Sequence, residues 1–292
     1  MSKIYKGNAY GKINLYLDVL DKMENGYHNI ESIMQSVSLC DQITLEIEPC
    51  QEENVIEIVS SGGKIPNDKT NLVYKCANAF FEHTKLSGYK CIFFIEKNIP
   101  ISAGMAGGSS DGACAMKLLN EAFNNILSHE EMCIIGAKIG ADIPFCLTGG
   151  TCACRGIGDK ITRLHSFSNI FLVSAIDSSS VSTPFAFSLL DEKYGTNCKG
   201  NENINLMIDA ISTGNFTSVA SLLYNKFESV ILPLNENISK IKSIMLENGA
   251  VGALMSGSGP SVFGIFLDEN SQKKALEVLK NCSINAFLCK TI

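Results

Sequence analysis

A glycine- and serine-rich segment, Pro100 to Gly112, constrains this chain more than any other stretch. An apolar run, Cys91 to Ile95, precedes it, and apolar residues spaced like one face of a helix follow it. The segment is therefore predicted to be a loop between a strand and a helix that begins near Ser109 and Ser110. Free amides and the helix dipole make such an N-terminus a natural anion site. The sequence favours a phosphate-binding loop over an ordinary glycine-rich turn with a serine cap.

Three better-known glycine motifs describe this segment less well. No lysine follows the glycines as in a Walker A loop, and the Gly-x-Gly-x-x-Gly spacing of dinucleotide-binding folds is absent. Residues 108–112 match the Gly-x-Ser-x-Gly nucleophile elbow, but a true elbow follows its strand directly. Here the strand is predicted to end near Lys97, and only His129 and His165 follow as triad partners. A hydrolase is therefore disfavoured.

Composition limits the class of protein. The chain has 292 residues, enough for one large or two ordinary domains, and 46% of them are hydrophobic. Its net charge of −6 argues against nucleic acid as a partner. No apolar run reaches the roughly 20 residues of a membrane span, and the N-terminus has no apolar signal region. The twelve cysteines form no Cys-x-x-Cys pair, so we expect reduced thiols in a cytoplasmic protein.

Strand and helix patterns alternate in both halves and predict an α+β fold. Strands are predicted at residues 12–20, 28–37, 42–47, 55–59, 91–95, 151–154, 170–175 and 286–290, with a strand, turn and strand over 254–265. Helices are predicted at 71–81, 183–190, 204–211, 216–224, 238–248 and 272–279. Ser128 and Glu131 match a capping box and predict a further helix that begins after Ser128. Residues 191–203 are predicted to be a mobile polar loop. The character of the sequence changes near residue 160, where we place a domain boundary.

Several isolated residues allow two interpretations. Asp142 lies between a predicted helix ending at Gly140 and an apolar segment, so it is either a helix cap or a functional acid. Lys12 lies in a segment of mostly small and apolar residues near the start of the chain. A lone lysine near the start of a strand is usually solvated. The pair Tyr27-His28 follows an Asn-Gly turn, where a lone histidine is most often structural. Gly257-Ser258-Gly259 forms either a hairpin turn or a second anion-contacting loop.

Three blocks taken together are more specific than any one of them. Residues 11–15 (Gly-Lys-Ile-Asn-Leu), residues 100–111 and residues 256–261 (Ser-Gly-Ser-Gly-Pro-Ser) occur in this order across nearly the whole chain. This arrangement resembles the GHMP kinases, named for galacto-, homoserine, mevalonate and phosphomevalonate kinases. Residues 25–28, 103–111 and 140–144 are similar to those members that act on 4-diphosphocytidyl-2-C-methylerythritol. Gly11 and Met105 depart from the usual Ala and Leu, and neither should alter the chemistry.

The resemblance implies a two-domain fold and a reaction. Residues 1–160 would form an ATP-binding domain resembling domain 2 of ribosomal protein S5, and residues 161–292 a ferredoxin-like substrate-binding domain. ATP, with Mg²⁺, would phosphorylate the 2-hydroxyl of a small substrate linked to cytidine diphosphate, in the non-mevalonate isoprenoid pathway. The expected protein has no nucleic-acid or membrane partner and is a monomer or homodimer.

The resemblance also assigns roles to residues. Asp142 would be the catalytic base and Lys12 its charged partner, while Asn14 and Thr183 would contact the substrate. Tyr27, His28 and Phe187 would frame the cytosine, with Phe185 left open as an alternative to Phe187. The ATP-binding set is Pro100, Ile101, Ser102, Ala103, Gly104, Met105, Ala106, Gly107, Gly108, Ser109 and Ser110, with Asn71 and Lys97 reaching the nucleotide end. The metal ligands stay unknown, and Ser110 is only a weak candidate.

Two other functions compete with this one. A GHMP kinase acting on homoserine or mevalonate would share the fold, but the aromatic and histidine pair Tyr27-His28 suits a nucleobase better. A catalytically silent nucleotide-binding regulator would not need both Lys12 and Asp142.

Overall fold

Two long strands, β1 (Lys3–Lys22) and β2 (His28–Pro49), open the chain. The computed structural model describes residues 2–51, 53–62, 65–179, 181–196, 198, 200–201 and 203–292. The chain divides into two units: unit 1 takes residues 1–11, 40–101 and 106–148, and unit 2 takes residues 12–39, 102–105 and 149–292. The division falls within both strands, so it differs from the single boundary predicted near residue 160.

Unit 1 pairs the end of β2 with two later strands. Residues 42–49 of β2 pair antiparallel with β4 (Tyr89–Glu96), which pairs in parallel with β3 (Val55–Ser61). The helices of unit 1 are α1 (Leu72–Thr84), α2 (Gly107–Ala122), α3 (His129–Ala137) and α4 (Ile143–Thr148). Apolar side chains from these strands and helices form one buried core that includes Leu45, Phe80, Phe93 and Leu119. Burial of this apolar surface fixes where α2, and hence its N-terminus, lies on the sheet.

Unit 2 contains a ferredoxin-like sheet. Its strands β7 (Phe171–Ile176), β9 (Gly252–Met255), β10 (Ser261–Phe266) and β11 (Asn285–Lys290) lie in the order β11-β7-β10-β9 and are all antiparallel. In chain order this is 4-1-3-2. Helices α9 (Glu236–Glu247) and α10 (Glu269–Asn281) pack on the sheet. The order of strands confirms the ferredoxin-like fold predicted for the second half.

The other elements of unit 2 lie in two groups. Strand β5 (Thr151–Arg155) pairs with residues 32–35 of β2 and with β6 (Lys160–Arg163), and β8 (Tyr224–Asn225) pairs with β1. The remaining helices are α5 (Thr183–Tyr194), α6 (Ile204–Ser212), α7 (Phe216–Ser221) and α8 (Glu228–Ile231). None of the helices in these described ranges has the length and apolar composition that a membrane span needs.

Strand β1 begins nine residues before its predicted start at residue 12, and three other predicted elements differ from the structure. Strands predicted separately at 28–37 and 42–47 are one strand, because the buried Asp41 between them is satisfied by hydrogen bonds. The helix predicted at 216–224 ends at Ser221, and Tyr224 pairs with Tyr16 of β1 instead. The loop predicted at 191–203 overlaps α5, because the last turn of that helix extends to Tyr194. Residues 197, 199 and 202 of the predicted loop lie outside the described residues.

Candidate active site

The N-terminus of α2 is open. The helix begins at Gly107, two residues before the predicted start, and the preceding Ala106 has left-handed backbone geometry with φ 56° and makes no side-chain cap. The amide of Ser110 donates to the carbonyl of Ala106 at 2.9 Å, which leaves the amides before it without helical partners. The Ser110 hydroxyl donates to the carbonyl of Tyr10 at 2.7 Å. An uncapped helix start of this kind fits a phosphate group.

Lys97 lies beneath this helix start in a buried ionic cluster. Its Nζ contacts Oδ2 of Asp41 and lies 2.8 Å from Oδ2 of Asp111, and all three side chains are buried. The second oxygen of Asp41 accepts hydrogen bonds from the amides of Asn98, at 2.6 Å, and Ile99, at 2.8 Å. Asp41 therefore holds both the ammonium group and the backbone that leads into the loop.

The cluster contains two carboxyl groups for one ammonium group. This imbalance, together with burial, shifts the pKa values of Asp111 and Lys97. Burial, together with the neighbouring charge of Asp41, raises the pKa of Asp111 to about 8, even though Lys97 opposes the shift. Burial alone would lower the pKa of Lys97, but Asp111 and Asp41 outweigh it and raise that pKa. Near neutral pH Asp111 is therefore mostly protonated, beside a charged Lys97.

Asn71 caps the helix α1. Its Oδ1 accepts a hydrogen bond from the amide of Val73 at 2.8 Å, and its Nδ2 donates to the carbonyl of Pro66 at 2.7 Å. Both groups of the amide side chain are therefore used within unit 1. The predicted contacts of Asn71 and Lys97 with a nucleotide stay predictions.

Asp142 lies at the start of α4, and its side chain does not cap the helix. Its backbone carbonyl accepts from the amide of Cys146 at 3.0 Å. Among the described residues of unit 1, no group donates a hydrogen bond to the half-buried carboxylate. Of the two interpretations, the cap is excluded and the carboxylate is left available for chemistry.

Lys12 is held by a chain of hydrogen bonds in unit 2. The side chain is only 4% exposed, unlike a solvated lysine, and its Nζ donates to Oδ1 of Asn14 at 2.8 Å. Nδ2 of Asn14 donates to Oγ of Ser32 at 2.9 Å, and Ser32 donates to the carbonyl of Tyr16 at 2.7 Å. Asn14 therefore orients Lys12, and its predicted contact with substrate stays a prediction.

Parts of the three sequence blocks meet within unit 2. The Lys12 amide donates to the carbonyl of Met105 at 3.0 Å, and the amide of Gly257 donates to Oδ1 of Asn14 at 3.1 Å. The hydroxyl of Ser256 donates to the carbonyl of Gly104 at 3.1 Å. The Ser256–Ser261 turn is thus a support for residues 102–105.

The same turn also reaches the start of α5. The hydroxyl of Ser258 lies 2.9 Å from that of Thr183, so this predicted substrate contact is linked to the turn. Of the loop residues before α2, Ile101 and Ser102 are exposed, whereas Ala103 and Met105 are buried.

Two of the residues predicted to frame the base, His28 and Phe187, lie in contact. His28 stacks on Phe187 with ring centroids 4.8 Å apart and planes at 15°, and Nε2 of His28 lies 2.7 Å from Oδ1 of Asp191. Tyr27 is 61% exposed, with no ring contact among the described residues, and Phe185 is 51% exposed. The structure therefore joins His28 to Phe187 rather than to Phe185, and it leaves Tyr27 free to meet a ligand.

Three acidic residues of these sites were not predicted: Asp41, Asp111 and Asp191. Asp111 lies within the predicted loop, and Asp191 lies four residues after Phe187, one helical turn away, so spacing could have indicated both. Asp41 carries no such local signal. Within the described ranges, no three or more His, Cys, Asp or Glu side chains gather as metal ligands.

Comparisons with known proteins identify the family of the chain. The family model "GHMP kinases N terminal domain" matches residues 71–150, and "GHMP kinases C terminal" matches residues 207–285. The chain is 44% identical to the 4-diphosphocytidyl-2-C-methyl-D-erythritol kinase of Caldicellulosiruptor bescii, over 94% of each chain. The chain belongs to the GHMP kinase family. This kinase is also 39% identical to the enzyme of the same name from Clostridium kluyveri, over 97% of its own length and 99% of the relative's.

Solved structures confirm the fold of this GHMP kinase. A crystal structure of 4-(cytidine 5'-diphospho)-2C-methyl-D-erythritol kinase matches with a TM-score of 0.81 at 25% identity, covering 98% of this chain and 99% of that one. The L. major mevalonate kinase in complex with R-mevalonate matches with a TM-score of 0.76 at 17% identity, covering 99% of this chain and 96% of that one. At that identity the likeness shows the shared fold alone.

Proposed function

We propose that this GHMP kinase uses ATP to phosphorylate the 2-hydroxyl of 4-diphosphocytidyl-2-C-methyl-D-erythritol, a step of the non-mevalonate isoprenoid pathway. One observation carries the choice of substrate: relatives 39–44% identical over nearly the whole chain bear the name of that kinase. The stacked pair His28 and Phe187, beside the exposed Tyr27, supports a nucleobase-linked substrate. Homoserine and mevalonate offer no ring to such a site.

The residues of this chain take separate roles in phosphoryl transfer, which depends mainly on positioning and charge stabilisation. The open amides at the start of α2 hold phosphate oxygens, and their lack of a side-chain cap is the feature that fits ATP. Asp142 accepts the proton of the 2-hydroxyl, a role worth roughly 10²–10⁴-fold in rate. Lys12, oriented by Asn14, stabilises the charge of the transferring group. Bound ATP would supply the phosphoryl group, and Mg²⁺ would neutralise phosphate charge.

A single assay tests the proposal. Purified protein with ATP and Mg²⁺ is given no acceptor, the cytidyl substrate, homoserine or mevalonate, and ADP release is measured. We expect release only with the cytidyl substrate. Asp142→Asn protein, treated identically, controls for contaminating ATPases. Release with homoserine or mevalonate instead would overturn the proposal.

Two further expectations accompany this function. We infer a cytoplasmic enzyme, because the twelve cysteines form no disulfide and six of them are buried, which suits a reducing compartment. We also expect a monomer or homodimer, which light scattering of the purified chain would distinguish.

A further inference from the structure

The ring of His28 is held from two directions by α5. Its Nε2 lies 2.7 Å from Oδ1 of Asp191, and its face stacks on Phe187, which itself packs edge-on against Phe227. Phe187 and Asp191 are four residues apart on the helix and so share one face. The position and the plane of the imidazole are therefore both fixed by side chains of one element.

Asp191 also determines which ring nitrogen carries hydrogen. Burial would raise the pKa of Asp191, but hydrogen bonds from Lys22, at 2.6 Å from Oδ2, and from His28 outweigh it and lower that pKa. An ionised carboxylate can only accept hydrogen bonds, so Nε2 of His28 is the donor. In the neutral imidazole, Nδ1 is then a hydrogen-bond acceptor. No other polar group in the described part of the chain bonds to this ring.

We propose that Asp191 is a positioning residue that gives this kinase its preference for cytosine, by keeping Nδ1 of His28 as a hydrogen-bond acceptor. The proposal rests on the proposed function. Cytosine carries an amino donor at C4, where uracil carries a carbonyl acceptor. An acceptor at Nδ1 can accept a hydrogen bond from the cytosine amino group. Against uracil it faces a second acceptor, the carbonyl, and no hydrogen bond forms. A ring with its hydrogen on Nδ1 would have the opposite preference.

The first experiment needs no substrate. Protein labelled with ¹⁵N-histidine is studied by NMR at pH 8, and His28→Asn identifies the His28 signals among the four histidines. We expect a hydrogen on Nε2 that exchanges slowly with water, a bare Nδ1, and loss of the slow exchange in Asp191→Ala. A hydrogen on Nδ1, or the same slow exchange in Asp191→Ala, would overturn the proposal.

The second experiment measures base preference. The ratio of kcat/KM for the cytidyl substrate to that for its uridyl analogue is compared in wild type, Asp191→Ala, Asp191→Asn and Glu192→Ala. We expect Asp191→Ala to lower the ratio about tenfold, the size of one lost hydrogen bond. Asp191→Asn should lower the ratio at least as far, because Lys22 donates to the single amide oxygen and the amide NH2 then donates to Nε2, which moves the imidazole hydrogen to Nδ1. Glu192, the exposed carboxylate next in the helix, is the matched control and should leave the ratio unchanged.

The two experiments separate failure of this inference from failure of the proposed function. If wild type turns over neither nucleotide-linked substrate, the proposed function is wrong, and the NMR measurement alone decides whether Asp191 fixes His28. If wild type prefers the cytidyl substrate and Asp191→Ala keeps the full ratio, Asp191 does not set the preference. An unchanged KM for ATP in both Asp191 variants shows that the nucleotide site is intact.

Discussion

One oxygen of Asp111 lies 2.8 Å from Nζ of Lys97, whereas the other is buried with no hydrogen-bond partner among the described residues. An ionised carboxylate would leave negative charge on that buried oxygen, which is costly in a low-dielectric interior. The pKa of Asp111, raised to about 8, reflects this cost. The side chain of Asp111, beneath the start of α2, is therefore mostly a carboxylic acid near neutral pH.

Asp111→Asn should change how stability depends on pH. Because the pKa of Asp111 is higher in the folded chain than in the unfolded chain, the unfolded state loses its proton first. The contribution of Asp111 to stability is thus fully present below pH 4 and is lost as pH rises through about 8. Asparagine mimics the neutral acid and cannot ionise. Wild type should lose on the order of 2 kcal/mol more than the variant between pH 6 and pH 9.

Denaturant unfolding at both pH values measures this difference. Comparing the two proteins at each pH removes the effect of other titrating groups, such as the buried thiols, since both proteins share them. Parallel pH profiles for the two proteins would show that Asp111 is ionised throughout.

Asp142→Asn should lower kcat by roughly 10²-fold or more while leaving the affinity for ATP unchanged. The amide keeps the shape of the side chain but cannot take a proton. Stability should change little, because no described group of unit 1 hydrogen-bonds to the carboxylate. Steady-state kinetics and calorimetric titration with a non-hydrolysable ATP analogue provide the measurements. Asp209→Asn, which changes an exposed carboxylate of α6, is the control. A near-normal kcat in Asp142→Asn would exclude Asp142 as the base.

Asn14→Ala should reduce both activity and stability. It removes the acceptor of Lys12 and of the Gly257 amide, at a cost of about 1–3 kcal/mol for buried polar groups, while the Ser32 hydroxyl keeps its bond to the carbonyl of Tyr16. Ser32→Ala is the matched control, because it breaks the same chain beyond Asn14 and keeps the bond to Lys12. We expect similar destabilisation in both variants and a much larger loss of kcat in Asn14→Ala. Equal losses of kcat would mean that Asn14 does not act through Lys12.

The features predicted from sequence are those with local causes. The loop that leads into α2 and the capping box of Ser128 and Glu131 depend on neighbouring residues, and the structure has both. The cluster around Lys97 depends on a partner 56 residues away, and the contact of His28 with Asp191 spans 163 residues. A single sequence gives no information on which distant carboxylate will meet which base or ammonium group. Such pairs become visible only once the packing of the apolar core has fixed the positions of the strands and helices.

The close approach of Gly104 to the Ser256–Ser261 turn gives the last prediction. Gly104 has φ +72°, and a Cβ on it would lie 2.4 Å from the carbonyl oxygen of Ser256, which is backbone and cannot rotate away. Gly104→Ala therefore combines left-handed strain with a clash. It should displace residues 102–105 from the turn and break the hydrogen bond from the Ser256 hydroxyl.

Gly214→Ala separates the two effects of Gly104→Ala. Gly214 has a similar φ of +65°, but nothing lies within 4 Å of its added Cβ. This control should cost about 1 kcal/mol, the usual penalty for left-handed backbone without glycine, whereas Gly104→Ala should cost at least twice as much and lower kcat. Denaturant unfolding and kcat of both variants provide the measurements. Equal destabilisation of the two variants would mean that the loop tolerates the clash by moving, and the turn would then not be its support.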